Sequence, residues 1–167
     1  MSRLSLSLTG LLSLDRIVVG ALAKDKQDAL SQALDLVGTH EGMLDHAKAR
    51  EAVLERERTL STGVGRGIAL PHARTRHVNA VMAAVVTFQH PIAYDAIDGV
   101  PVQLLILLLS PEESRGDHIK LLSRVSVLVN DASIRNQLIA AQSASHLYDV
   151  LVEGEDRRLT GFASTRS

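Results

Sequence analysis

The 167-residue sequence predicts an α/β fold, a small mixed β-sheet flanked by helices on both faces. Three observations lead there. Two segments, "VNAVMAAVVTF" and "PVQLLILLLSP", are continuous apolar runs, the pattern of strands buried on both sides. Two stretches ahead of them repeat apolar residues at helical spacing. After Pro111 the helical period returns. Helices on either side of a block of buried strands are best placed by covering both faces of one sheet.

Each element follows in order. Ile17 to Val19 is a short β-branched run and a strand candidate. "KDKQDALSQALDLVG" puts Leu30, Ala33, Leu34 and Val37 on one helical face, and Gly38 suits the stop. A second helix is predicted from Leu44 or Asp45 to Thr59, with Ala49, Ala52 and Val53 inward and Arg56 and Arg58 in its last turns. "STGVGRG" carries glycines at 63, 65 and 67 and reads as a loop needing positive φ or close backbone approach. Ile68 to Leu70 forms a short strand that Pro71 ends. "QHPIAYDAIDGVP" reads as turns and a short connection. Past Pro111, Ile119, Leu122, Val125 and Val129 face one way, and "DASIRNQLIAAQ" and "ASHLYDVLVEG" give two more helices. A short helix is expected at the N-terminus. Residues 1–155 make a single domain, and the charged segment 156–167 is expected to be a flexible tail.

Composition narrows the function. Only four residues are aromatic, two Tyr and two Phe, so the core is aliphatic and base-stacking nucleic-acid modules are disfavoured. The net charge is −1, which implies neither a nucleic-acid nor an anionic-membrane partner. There is no cysteine, which removes disulfides, thiolate nucleophiles and thiolate metal sites and is compatible with a cytoplasmic location. The longest purely apolar run, Leu104 to Leu109, is too short to span a bilayer, so no membrane insertion is expected.

The chemistry gathers around "GIALPHARTRH", residues 67–77. His72 follows Pro71 at the end of an apolar strand, where ligands of open α/β sheets collect. Upstream lie the Ser61 and Thr62 hydroxyls and the glycine loop, whose free N–H groups suit an anion. Arg66, Arg74 and Arg76 can supply guanidinium forks for phosphate or carboxylate. A second histidine, His118, follows Asp117 near a helix start, where the dipole also favours an anion. Neutral imidazole is a competent nucleophile near neutral pH, so the set suits a phosphoryl group on histidine. A zinc site is disfavoured because the histidines lack a recognised ligand spacing and arginine repels a cation. The glycines match neither a dinucleotide fingerprint nor a P-loop, and no G-x-S-x-G elbow is present. No metal and no cofactor are expected.

"LERERTLSTGVGRGIALPHAR", Leu54 to Arg74, resembles the signature of the fructose/mannitol-type enzyme IIA domains of the bacterial phosphoenolpyruvate phosphotransferase system. "DHIKLLSRVS", Asp117 to Ser126, is similar to that family's second histidine segment. "PIAYDAIDGVPVQLLILLLSPEES" and "IRNQLIAAQSASHLYDVLVE" resemble the nitrogen-regulatory branch in particular. The likeness implies the enzyme IIA mannitol/fructose-type fold. It implies His72 as phosphoacceptor, with a small histidine phosphocarrier protein as donor, and His118 as the second active-site histidine. It makes Arg56 the motif arginine and places Thr62 and Gly63 in the phosphate-side loop, with Arg74 alongside. Two departures stand out: Arg66 where asparagine is common, and "SPEES" in place of a more usual valine-proline pattern. With no transporter or IIB segment in these 167 residues, the expected output is regulatory, acting through phosphorylation state on targets such as transporters or kinases. The alternative is a sugar-transport enzyme IIA that passes its phosphate to a separate IIB component.

Overall fold

The computed structural model of the protein describes residues 6–164. A four-residue helix α1 (Leu8–Leu11) and a 3-10 turn (Leu14–Arg16) lead into β1 (Ile17–Ala21). Helices α2 (Lys26–Val37) and α3 (His46–Thr59) precede β2 (Gly63–Gly65), β3 (Ile68–Ala69), β4 (His72–Thr75), β5 (Met82–Ile92) and β6 (Val102–Pro111). Helices α4 (Arg115–Asn130), α5 (Ala132–Ala140) and α6 (Ala144–Ser164) complete the chain. Residues 1–5, part of the expected N-terminal helix, and residues 165–167 of the expected tail lie outside the described residues.

The sheet is mixed, with β6 inside it. On one side β6 pairs antiparallel with β5, which pairs parallel with β1. On the other side β3 and β4 both run parallel to β6, and β2 pairs antiparallel with β3. Side-chain alternation along β5 and β6 divides the core in two. Leu104, Ile106 and Leu108, with Ala83 and Val85, pack beneath α1, α4, α5 and α6 against Leu8, Leu121, Val125, Leu138 and Leu151. Leu105, Leu107 and Leu109, with Met82, Ala84 and Val86, pack on α2 and α3 against Leu30, Leu34, Val37, Ala49 and Val53. Strands that feed two cores have no polar face, which is why their sequences read as unbroken apolar runs.

Aspartates set the starts of α2 and α3. Asp25 caps α2 by accepting from Asp28 N at 2.8 Å, and Asp45 caps α3 by accepting from Lys48 N at 3.1 Å. Gly38 follows the last residue of α2, where the sequence places the stop.

Several elements differ from the sequence expectation. The glycine segment is a β-hairpin, β2 and β3, and its positive φ falls on Gly65 (100°), Arg66 (59°) and Gly67 (82°). Pro71 interrupts the strand without ending it. Ile68 pairs with Leu104 and His72 with Leu108, so β3 and β4 keep one register along β6. Pro71 has no N–H to give the ladder, yet its carbonyl still accepts from Leu108 N at 3.0 Å. β5 continues through Gln89 to Ile92 past a register irregularity, where a connection was expected. The buried face of α4 is His118, Leu121, Val125, Leu128 and Val129, while Ile119 is 55% exposed. A polar residue holds a core-facing position there, so hydrophobicity alone gives the helix the wrong phase. Finally, α6 continues past Glu153 to Ser164. Glu155 in this stretch accepts from Leu8 N at 3.0 Å and Thr9 N at 2.9 Å, satisfying the first turn of α1.

Candidate functional site

His72 is the first residue of β4, half-buried, on the α4 side of the sheet together with its partner Leu108. The chain entering β2 pairs only as far as Leu70 N to Thr62 O, at 2.9 Å. The Leu70 carbonyl takes the imidazole instead: His72 Nδ1 donates to it at 2.6 Å. A carbonyl can only accept, so Nδ1 carries the proton and Nε2 holds the lone pair. Burial pushes the His72 pKa below its ordinary value, and the positive charge of Arg56 pushes the same way. The Leu70 hydrogen bond and the Glu57 carboxylate oppose this without reversing it. The ring is therefore neutral near pH 7, with a nucleophilic Nε2.

His118 faces it from the first turn of α4. The ring centroids are 5.6 Å apart, with the planes tilted by 47°. His118 is 5% exposed, and its Nδ1 shares a hydrogen bond of 2.7 Å with the hydroxyl of the fully buried Ser110. Burial, then the nearby His72 and Arg74, lower its pKa to about 4. Two neutral imidazoles, each tied through Nδ1 to a different partner, thus stand side by side.

The arginines divide. The Arg56 guanidinium donates to the Leu60 carbonyl at 3.1 Å and its charge reaches His72. Arg74, exposed on β4, donates to the Glu112 carbonyl at 3.1 Å and its charge reaches His118. Arg66 does not join them. Its side chain donates to Asn130 Oδ1 at 2.7 Å, at the far end of α4, and its N–H is held by Asp98 at 2.8 Å. Arg76 is exposed and lines an open depression of about 760 Å³ together with Arg74, Lys48 and Glu112.

Thr62 is buried, and both its donors are taken. Its N–H donates to Glu57 Oε1 at 2.9 Å and its hydroxyl to Glu57 Oε2. Glu57, itself buried, pairs with Lys26 Nζ at 2.7 Å. Thr62 Oγ1 also meets the Tyr94 hydroxyl at 3.2 Å, and Lys26 Nζ lies 4.6 Å from the centre of the Tyr94 ring. Gly63 N donates to Ser61 Oγ at 3.2 Å. A Cβ on Gly63 would lie 2.8 Å from Ala96 Cα, so this glycine is required by close packing. The network ties the end of α3 to the strand that leads to His72.

A family model described as the phosphoenolpyruvate-dependent sugar phosphotransferase system EIIA 2 domain matches residues 10–154. The chain belongs to this family. It is 34% identical to a nitrogen regulatory protein of Pseudomonas aeruginosa, over 83% of this chain and 90% of that one. It is 36% identical to a fructose-specific EIIA component of the phosphotransferase system in Haloferax volcanii, over 77% of this chain and 83% of that protein. Among solved structures it resembles the nitrogen regulatory protein IIA-Ntr of Neisseria meningitidis, with a TM-score of 0.80 and 34% identity, covering 86% of this chain and 97% of that one. The sheet with helices on both faces is the enzyme IIA fold.

Seen as an enzyme IIA, the chain brings His72, His118, Arg56 and Arg74 together. It holds Thr62 and Gly63 in the supporting layer behind them. Sequence reasoning missed Ser110, Glu57 and Lys26. Glu57 sits in the charged run "ERERT" and reads as solvated. Lys26 is more than thirty residues upstream with no local signal. Ser110 had one: it is the serine of "SPEES", the segment noted above as a departure from the family pattern. Among the described residues no group of three or more His, Asp or Glu side chains is placed to hold a metal ion, and no helix is long and apolar enough to cross a membrane.

Proposed function

We propose that this enzyme IIA accepts a phosphoryl group on His72 Nε2 from a histidine phosphocarrier protein and controls regulated partners through its phosphorylation state, as a nitrogen-type component. The observation that carries the reading is the paired imidazoles, with the His72 proton pinned at Nδ1 against Leu70 O. The Nε2 lone pair attacks phosphorus and the donor's N–P bond breaks, its electron pair returning to the donor imidazole. The Nδ1 proton stays on His72 and offsets part of the charge gained. His118 stands where a phosphoryl oxygen on His72 comes within its reach, and the Arg56 and Arg74 charges offset the incoming dianion. Catalysis is then positioning and charge stabilisation in an in-line transfer.

The nitrogen-type assignment is supported by the 34% identity to proteins of that name. The fructose-specific relative supports the second reading, phosphate transfer onward to a separate IIB component. The deciding experiment is capture of partners from a cell extract with phosphorylated and unphosphorylated protein. A regulatory component retains different targets in the two forms. Rapid discharge of the phosphate onto a IIB protein, with no form-dependent capture, would establish the second reading instead.

A further inference from the structure

Ser110 stands in the transfer site with no role assigned so far. It is the penultimate residue of β6, fully buried, and lies beside Arg74 in the register of β4 and β6. Its hydroxyl has one hydrogen-bond partner among the described residues, His118 Nδ1 at 2.7 Å. A shared bond between a hydroxyl and an imidazole nitrogen has two forms. If Nδ1 donated, the serine proton would be left in a buried place with no acceptor. If the hydroxyl donates, its proton has the Nδ1 lone pair as acceptor and no buried hydroxyl proton is stranded. The second form puts the His118 proton on Nε2.

We infer that Ser110 is a positioning residue that fixes His118 in its Nε2–H tautomer, making His118 a hydrogen-bond donor to the phosphoryl group on His72. The two rings are then complementary. His72 has its proton at Nδ1 on Leu70 O and offers a lone pair; His118 accepts at Nδ1 from Ser110 and offers an N–H. The wrong tautomer of His118 would present a lone pair to an anionic oxygen and repel it. The neutral state of His118 near pH 7 is what makes its tautomer matter. The inference rests on the phosphoacceptor reading above for its consequence, but its structural content can be read without any transfer.

The test has two arms. Long-range ¹H–¹⁵N correlation spectra of the ring nitrogens, recorded on the unphosphorylated protein, report the tautomer of His118 directly. The Nε2–H form is expected in the wild type and in Ser110→Thr, with a mixed or Nδ1–H form in Ser110→Ala. Single-turnover phosphorylation by phosphocarrier gives the second arm. Ser110→Ala is expected to slow transfer about tenfold, Ser110→Thr to restore it, and Ser110→Ala to add nothing in a His118→Ala background. An unchanged His118 tautomer in Ser110→Ala overturns the inference even if the rate falls, because the loss would then be structural. An unchanged rate with an altered tautomer overturns the positioning role. Failure of the wild type to take phosphate on His72 would instead overturn the acceptor reading, while the spectra would still decide the tautomer.

Discussion

His72 Nδ1 and the carbonyl oxygen of Leu70 lie 2.6 Å apart, on either side of Pro71. Leu70 N donates to Thr62 O, but the Thr62 N–H that would close the rung donates to Glu57 Oε1 at 2.9 Å, which leaves the Leu70 carbonyl free to hold the acceptor ring in one tautomer. The expected product is one phosphate per chain, on Nε2 of His72. It should be lost in acid and survive in alkali, as a phosphoramidate does. Mass spectrometry and ³¹P spectra check this. His72→Ala should take up none, and an acid-stable phosphate would contradict the assignment.

Acid should weaken the fold through the two site histidines. His118 has its pKa lowered from 6.5 to about 4, and that of His72 is lowered too. Between those values the unfolded chain binds protons that the folded chain refuses, so stability rises with pH across the window. The contribution is fully present above about pH 6.5 and drains away toward pH 4, by on the order of 1–3 kcal/mol. Urea titrations at pH 4.5 and pH 7.5 measure it. His118→Gln should reduce the difference between the two pH values; a difference unaltered by that substitution would place the acid sensitivity elsewhere.

The two histidines should separate in kinetics. His118→Ala keeps the acceptor, so it should still be phosphorylated on His72. Removing one preorganised donor from such a site costs ~10²–10³ in rate. Arg56→Ala should act in the same direction and less strongly, since the guanidinium is already bonded to Leu60 O and only half-buried. Single-turnover phosphorylation and thermal melts are the measurements. Normal transfer with a lowered melting temperature would make His118 a core residue only.

The architecture was legible because β5 and β6 feed two cores, and a strand with no polar face announces itself. The start of α3 was legible at Leu44 or Asp45, and the Asp45 side chain caps it there. What stayed hidden was non-local. The continuation of one strand from β3 into β4 depends on the Leu104–Leu108 register of β6, which no local pattern encodes. The phase of α4 was misread because His118 takes a buried place and Ile119 an exposed one, and that exchange serves the site. Glu57 lies in a charged run that gives no local sign of burial; only the fold brings Lys26 and Thr62 to it.

Gly63→Ala should be destabilising by about 1–3 kcal/mol, the range for overpacking. The new methyl would lie 2.8 Å from Ala96 Cα, a backbone atom that cannot swing aside. Gly99→Ala offers the contrast: no atom lies within 4 Å, so its cost comes only from a φ of 72°. Equal melting temperatures for Gly63→Ala and wild type would show that the Ala96 segment yields.

Thr62 separates support from ligation. The family likeness places it beside the phosphate, but its N–H and hydroxyl are both spent on Glu57, and it is 3% exposed. As an anchor it matters for stability. Thr62→Val keeps the shape and the N–H but removes the hydroxyl from a buried carboxylate and from Tyr94. Leaving such groups unsatisfied costs about 1–3 kcal/mol. Transfer should then slow only a few-fold, because the loop before His72 is loosened while no contact to the phosphoryl group is lost. Thr62→Ser, which restores the hydroxyl, should recover most of the stability. As a direct phosphate ligand it would behave in the opposite way, with near-normal melting and a rate loss comparable to that of His118→Ala. Chemical denaturation and single-turnover phosphorylation of the two variants decide between these roles, and the commitment of both Thr62 donors to Glu57 favours the anchor.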